Sequence, residues 1–300
     1  MNDQIPSNPD KVMLEECTRR EIREALQRGD LKAAIIPTGA IEQHNEHLAM
    51  NVDIALSTYI SQQVALRLYP QVIVAPGPPV GYSPYHMARP GTLTLRLDTL
   101  RAYLADVMQS FNAHGIHTVL VINGHNGNSS ALVDQLPQWR NKWDMTLDQI
   151  TYLEVITDEQ RAEILDGYRD LRDGKLDTVA QQTALNHASE EETSLMLAAC
   201  PHRVRPMTMD TYDATGLDYA SHLPPKIIEF LKPYMASGWP GGGSNPENPR
   251  DRARQENAMR GTAEKGKALL DVYIPFLVKH MQDMIDATEA GTPWPAKAAT

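Results

Sequence analysis

The chain reads as an α/β protein, a three-layer α/β/α sandwich around a mostly parallel sheet. Three observations predict it. Short apolar runs rich in valine and isoleucine alternate with helical patterns, and that alternation implies parallel strands covered on both faces. The runs carry little polar alternation, as expected of strands buried on both sides. Acidic and imidazole side chains gather where two of the runs end, and open α/β sheets place their sites at such carboxyl ends.

The elements follow in order. Thr18-Arg19-Arg20-Glu21 is a capping box, and Ile22, Ala25 and Leu26 continue it at helical spacing. Gly29 and Asp30 end that helix. Ala33 to Ile36 is a buried strand that stops at Pro37. Asp53 to Leu68 is helical, with Leu56, Ile60 and Val64 on one face. Val72-Ile73-Val74 is a second strand, ended by the proline-rich turn from Pro76 to Pro79. Asp98 caps an amphipathic helix in which Leu100, Tyr103, Leu104, Val107, Met108 and Phe111 share a stripe, and Gly115 closes it. Thr118 to Ile122 is a third strand, followed by a Gly/Asn turn and a helix from Ser129. Ile150 to Ile156 is a fourth strand containing Tyr152 and Val155. Ala236 to Arg250, with Gly238, Gly241, Gly242, Gly243, Pro240, Pro246 and Pro249, is a long irregular loop. No new strand–helix series follows it, so it is not a domain linker. The last helical region starts near Arg252, and Gly261, Gly266 and Pro275 should break or bend it. One domain therefore spans 18–288, between tails at 1–17 and 289–300.

Bulk properties narrow the partners. A length of 300 residues with 42% hydrophobic content is enough for one large core. A net charge of −10 argues against a nucleic-acid backbone or an anionic membrane surface as partner, and fits a small neutral or cationic substrate. Cys17 and Cys200 are too few for a disulfide framework and are expected to be reduced thiols. Met1 to Lys11 is polar and lacks a signal-peptide pattern, and no run approaches the ~18 apolar residues of a membrane helix. The expected location is cytoplasmic.

Four segments carry chemistry. After the first strand come Glu42-Gln43-His44-Asn45-Glu46-His47 and then Asp53. Glu42 and His44 are two apart, so an extended backbone points them to one side. Asp53 opens the next helix and can turn its carboxylate back toward them. Carboxylate oxygen with imidazole nitrogen suits Zn²⁺, Mn²⁺ or Fe²⁺ better than Ca²⁺ or Mg²⁺, although the cluster alone could be a solvated loop. After the third strand, Asn123-Gly124-His125-Asn126-Gly127-Asn128 delivers a second histidine at a strand end, with glycines that allow tight turns and close approach of a ligand. His187-Ala188-Ser189-Glu190-Glu191-Glu192 starts a helix. Three glutamates there could simply complement the helix dipole, and physics alone does not choose among them, although Glu192 directly precedes the apolar run. The loop from Gly81 to Thr92 should flank the same edge, with His86 contacting substrate or only holding the loop.

In this order the four segments resemble the creatininase family: its E-Q-H-x-x-H-x-x-x-x-x-D, S-x-x-H-x-x-x-P-G-T, N-G-H-x-x-N and H-x-x-x-x-E-T-S. Its late T-A-E-K-G is present as Thr262 to Gly266. The resemblance covers roughly residues 18 to 270, with an insertion near 241–250. It implies a creatininase-like sandwich and a binuclear site for two divalent ions, zinc, manganese or both, with iron possible. Glu42, Asp53 and His125 would hold one ion. His44, Asp53 and Glu192 would hold the other, with Asp53 bridging. His187 would be the proton shuttle, and a metal-bridging hydroxide would attack the substrate carbonyl. The implied activity is cleavage of a C–N amide bond in a small polar, cyclic compound. The family also includes hydrolases that open a C–C bond in a cyclic diketone such as 3-dehydro-scyllo-inosose. A silent relative that only binds would have no physical need to keep five ligands together. A homohexamer is implied as well. Two departures point away from creatinine: Gly127 stands where creatininase carries a glutamate, and Arg89 replaces the aromatic before P-G-T. Arg89 would select a polar or anionic group, and Trp239 in the long loop would supply an aromatic wall.

Overall fold

The computed structural model describes residues 9–87, 91–206 and 249–294, together with positions 225, 226 and 229. Its sheet has four strands in the order β2-β1-β3-β4, all parallel. They are β1 (Ala33–Thr38), β2 (Val72–Val74), β3 (Thr118–Asn123) and β4 (Thr146–Thr151). The expected α/β sandwich is therefore the observed fold. Among the described residues no helix is long and apolar enough to cross a membrane.

Three strands differ from expectation at their bounds, β3 by a single residue, ending at Asn123 rather than Ile122. β1 runs through Pro37 to Thr38, paired along its length with β3. The Ile35 carbonyl accepts from Ala75 N–H at 2.8 Å, on the β2 side. Pro37 shares that side by the two-residue period of a strand. The β2 pairing ends at Ile35 and Val74, so the missing proline N–H costs no ladder bond. The fourth strand lies at 146–151 rather than 150–156. Its partner β3 ends at Asn123, opposite Thr151, so beyond that register β3 offers no further residue to pair with. Tyr152–Glu154 turns into a 3₁₀ helix instead.

Successive strand residues feed two separate cores, as the period of two requires. Ile35, Leu120 and Ile122 pack with α2 (Val52–Arg67), α9 (Glu190–Ala199) and α11 (Ala263–Ala290). Ala34, Ile36, Val119 and Val121 pack with α3 (Leu97–Ala113), α4 (Asn126–Leu132) and α5 (Leu136–Trp143), and α1 (Arg19–Arg28) adds Ile22, Ala25 and Leu26. Shorter helices α6 (Asp158–Ile164), α7 (Asp166–Arg172) and α8 (Val179–Thr183) join β4 to α9, and α10 (Pro249–Ala258) precedes α11.

The Thr18 capping box and the Gly29 terminus are as expected. Asp98 lies in the first turn of α3 rather than capping it, because Arg96 occupies the cap position. α4 begins at Asn126, not Ser129. The break in the last helical region falls between α10 and α11, around Gly261, while α11 continues through Gly266 and Pro275. Gly266 allows α11 to lie against α9: a Cβ there would sit 1.9 Å from the Ser194 carbonyl oxygen. Pro249 and Arg250, expected in the irregular loop, are the first residues of α10, and 236–248 lie outside the described residues. Of the two expected tails, the first buries Val12, and the second sends Trp294 Nε1–H to Asp148 at 2.9 Å.

Candidate metal and active site

The carboxyl ends of β1 and β3 and the amino ends of α2, α4 and α9 meet at one cavity. Asp53 reaches it from the first turn of α2. Two glycines make that possible. A Cβ at Gly124 would lie 2.4 Å from the Asp53 carbonyl oxygen, and one at Gly39 would lie 2.5 Å from the Asp53 carbonyl carbon. Gly124 thus permits close approach of the α2 backbone, and it also lines the cavity.

The Asp53 carboxylate divides between two histidines. Its Oδ1 is 3.2 Å from His44 Nε2, and its Oδ2 is 3.3 Å from His125 Nδ1. Glu42 Oε1 approaches His125 Nδ1 at 3.4 Å, and Glu192 Oε2 approaches His44 Nε2 at 3.8 Å. The far side of each ring settles its orientation. His44 Nδ1–H donates to the Glu42 carbonyl at 3.1 Å, and His125 Nε2–H donates to the Tyr82 carbonyl at 3.0 Å. A neutral ring so held turns its lone pair to the centre, the arrangement that metal-ligating histidines show. His187 Nε2–H donates to the Gln43 carbonyl at 2.8 Å, so its Nδ1 faces inward, 3.7 Å from Glu42 Oε1.

Supporting bonds hold these groups. Ser83 Oγ–H donates to Glu42 Oε2. Asn123 ties the end of β3: its Oδ1 accepts from Thr38 Oγ1 at 2.9 Å and from His125 N–H at 3.1 Å. Ala188 takes a left-handed conformation (φ 48°) and its N–H donates to Glu192. A non-glycine residue there is uncommon, and such conformations persist where surrounding structure demands them. Gly127 is packed too: a Cβ there would lie 2.4 Å from His125 Nε2 and 2.6 Å from the Tyr82 oxygen. A larger side chain would disrupt the bond that orients His125.

The three consecutive glutamates separate. Glu190 is held by Lys265 Nζ at 2.5 Å and by the N–H groups of Asp166 and Gly167. Glu191 is held by Arg161 Nε at 3.0 Å and by the Tyr273 hydroxyl. Glu192 turns to the cavity.

The centre is acidic and buried, with Glu42, His44 and Asp53 each at most 1% exposed. Burial works against charge on His44, yet Asp53 and Glu192 hold its imidazolium well above the ordinary histidine range. Burial also opposes charge on His125, but Glu42 and Asp53 outweigh it and push that ring up to about 10. A proton on His44 Nε2 or His125 Nδ1 occupies the direction in which a cation would bind, and metal binding would displace it. Burial, with His44 and His86 alongside, keeps His187 well below the ordinary range. Burial likewise lowers His86 to about 4.

The residues fit a metal. His44 Nε2 and Asp53 Oδ2 are buried with no hydrogen bond of normal geometry. Ligand atoms of Glu42, His44 and Asp53 lie within 4.8 Å of one another, as do those of His44, His187 and Glu192. The cavity holds about 410 Å³, and among the described residues lining it there is no lysine or arginine to neutralise three carboxylates.

The structure thus brings together Glu42, His44, Asp53, His125, Glu192, His187 and His86. Arg89 and Trp239 lie outside the described residues. Sequence reading gave no role to Ser83 or Gln43, although both stand inside the quoted motifs. Asn126, Asn186 and Leu153 also line the cavity. Leu153 stands inside the expected fourth strand, and it comes to the cavity on the 3₁₀ turn that follows β4.

Fold and site together define an α/β protein with a cluster of potential metal ligands at the carboxyl edge of a parallel sheet. The chain belongs to the creatininase family, whose model, described as creatinine amidohydrolase, matches residues 15–281. Creatinine amidohydrolase of Pseudomonas putida is 28% identical over 242 residues, covering 74% of this chain and 87% of that protein. The 3-dehydro-scyllo-inosose hydrolase of Thermotoga maritima is 26% identical over 292 residues, covering 96% and 88%. Among solved structures, a tryptophan-to-alanine variant of creatininase superimposes with a TM-score of 0.66 at 24% identity, over 91% of this chain and 98% of the other. Creatininase in a manganese form and a glutamate-to-glutamine variant in a zinc–zinc form match as well.

Proposed function

We propose that the chain is a binuclear metal-dependent hydrolase of a small polar, cyclic substrate, cleaving a C–N amide bond. The observation that carries this reading is the division of Asp53, with one carboxylate oxygen toward His44 and the other toward His125. In this reading Glu42, Asp53 and His125 hold one ion, and His44, Asp53 and Glu192 hold the other. The donor set favours zinc or manganese, with iron also compatible. Bound there, such ions supply Lewis acidity and a water acidified toward neutrality.

The protein's own residues do the rest. His187 accepts a proton at Nδ1 and returns it to the leaving group, the work of a general acid–base. Its ring stays aligned through the Gln43 carbonyl. Asn126 and Asn186 line the cavity, and residues of that type suit a polar molecule. Arg89 and Trp239 are proposed to add selectivity. A homohexamer is part of the same reading.

A second reading has support of its own. Similarity to the inosose hydrolase extends over 96% of this chain, which favours opening of a C–C bond in a cyclic diketone. One experiment separates the readings. The protein is loaded with zinc or manganese and offered lactams, formamides, ureas and inososes, with metal content measured alongside. Turnover of a lactam with two metals per chain supports the first, and turnover of an inosose alone supports the second. A protein that purifies and stays without stoichiometric metal overturns both.

A further inference from the structure

His86 differs from the other histidines of the cavity in what faces its outer nitrogen. His44 and His125 each turn that nitrogen to a backbone carbonyl. His86 turns its Nδ1 to the side-chain amide of Gln43, 3.3 Å from Nε2. Which end of that amide faces the ring is decided on its other side. Asn45 takes a left-handed conformation (φ 56°), and its N–H donates to Gln43 Oε1 at 3.2 Å. The NH₂ end is therefore turned to the rings.

It has two ring nitrogens within reach, His86 Nδ1 and His187 Nε2, the latter at 3.0 Å. The proton of His187 Nε2 is already given to the Gln43 carbonyl at 2.8 Å, so that nitrogen cannot accept, and its approach to the amide is a contact between two donors that the amide tolerates because Asn45 N–H takes Gln43 Oε1. The acceptor left for the amide is His86 Nδ1. A neutral imidazole that accepts at Nδ1 carries its proton on Nε2. That Nε2 lies 3.7 Å from Glu42 Oε1 at the cavity.

We infer that Gln43 is a positioning residue that holds His86 as the Nε2–H tautomer, so that His86 donates a hydrogen bond to a substrate oxygen and binds no metal. Glu42, His86 and His187 lie close enough to suggest a further cation site. Ligation through His86 Nε2 with Nδ1 accepting from Gln43 would require an imidazolate, which the amide donor opposes. The rings of His86 and His187 stack at 4.6 Å. They present a donor and a lone pair side by side, and together suit a substrate with a carbonyl, carboxylate or hydroxyl oxygen close to the atom that exchanges a proton. The role of the donor rests on the hydrolase reading, whereas the tautomer itself does not.

The tautomer is read directly from long-range ¹H–¹⁵N correlations in zinc-loaded protein labelled at histidine. The expected result is a protonated Nε2 and a bare Nδ1 on His86. In Gln43→Glu, whose carboxylate only accepts, the proton should move to Nδ1. A wild-type His86 protonated at Nδ1, a zinc-bound Nε2, or a tautomer indifferent to Gln43→Glu overturns the inference. Kinetics supply the second arm. Gln43→Leu should lower kcat by roughly 10–100-fold with both metals retained, the usual cost of removing a group that orients another. In a His86→Ala background the same change should add no more than about twofold, because Gln43 acts through that ring. Losses that multiply in the double variant show a role elsewhere and overturn it. The tautomer measurement needs no turnover, so a failed substrate screen counts against the hydrolase reading and leaves this test intact.

Discussion

Glu191 and Glu192 are neighbours in the first turn of α9, of one residue type and nearly equal burial, at 4% and 5% exposure. Glu191 meets Arg161 and the Tyr273 hydroxyl, which satisfy its charge and its lone pairs. Glu192 meets the Ala188 N–H and a histidine, beside two further carboxylates and no lysine or arginine among the described lining. A buried carboxylate is costly unless paired. At Glu191 the fold supplies its own cation. At Glu192 it gathers like charges instead and turns histidine ring nitrogens toward them. The difference separates a charge kept for structure from one kept for chemistry, and it can be broken or sharpened at four places.

The largest effect is expected at Asp53. Asp53→Ala should abolish turnover and release both metals, since its two carboxylate oxygens reach His44 and His125. Elemental analysis that still finds two ions per chain would remove the shared ligand from the account. His187→Ala should keep the metals and lose roughly 10²–10⁴-fold in turnover, the usual contribution of a general acid–base. Near-normal rates across pH would show that another group moves the proton.

On the structural side of the comparison the readout changes from turnover to unfolding. Glu191→Ala removes the buried carboxylate that Arg161 Nε and the Tyr273 hydroxyl meet, leaving Arg161 to Asp158 and two backbone carbonyls, and should destabilise the fold by about 3–5 kcal/mol in urea titrations, with metal per folded chain unchanged. If it loses metal while keeping stability, the two glutamates do not divide their roles as described. The smallest effect is expected at Gly124→Ala. Its new Cβ collides with the Asp53 backbone, which should cost about 1–3 kcal/mol. The displaced carboxylate should weaken metal affinity by ~10–100-fold. Binding isotherms identical to wild type would show that α2 can shift without disturbing its carboxylate.

Much of this was legible locally. The buried strands from Ala33, Val72 and Thr118, the Thr18 capping box and the helical stripe from Leu100 depend on neighbours a few residues away. The clusters at Glu42 and His125 stand out because each directly follows a buried strand. The end of the fourth strand was not legible, because it is set by register: Thr151 is the last residue with a partner, Asn123, on β3. The three glutamates of α9 were indistinguishable for the same kind of reason. Lys265 lies 75 residues from Glu190, and Tyr273 lies 82 residues from Glu191. Which carboxylate is neutralised, which glycine must yield to Asp53, and which nitrogen of each histidine faces the cavity all depend on distances across the folded chain. The sequence by itself determined the residue types available at each strand end. Only the tertiary structure decided which of them meet a compensating charge, because electrostatic pairing and hydrogen-bond direction act over a few ångströms of space, whatever the separation along the chain.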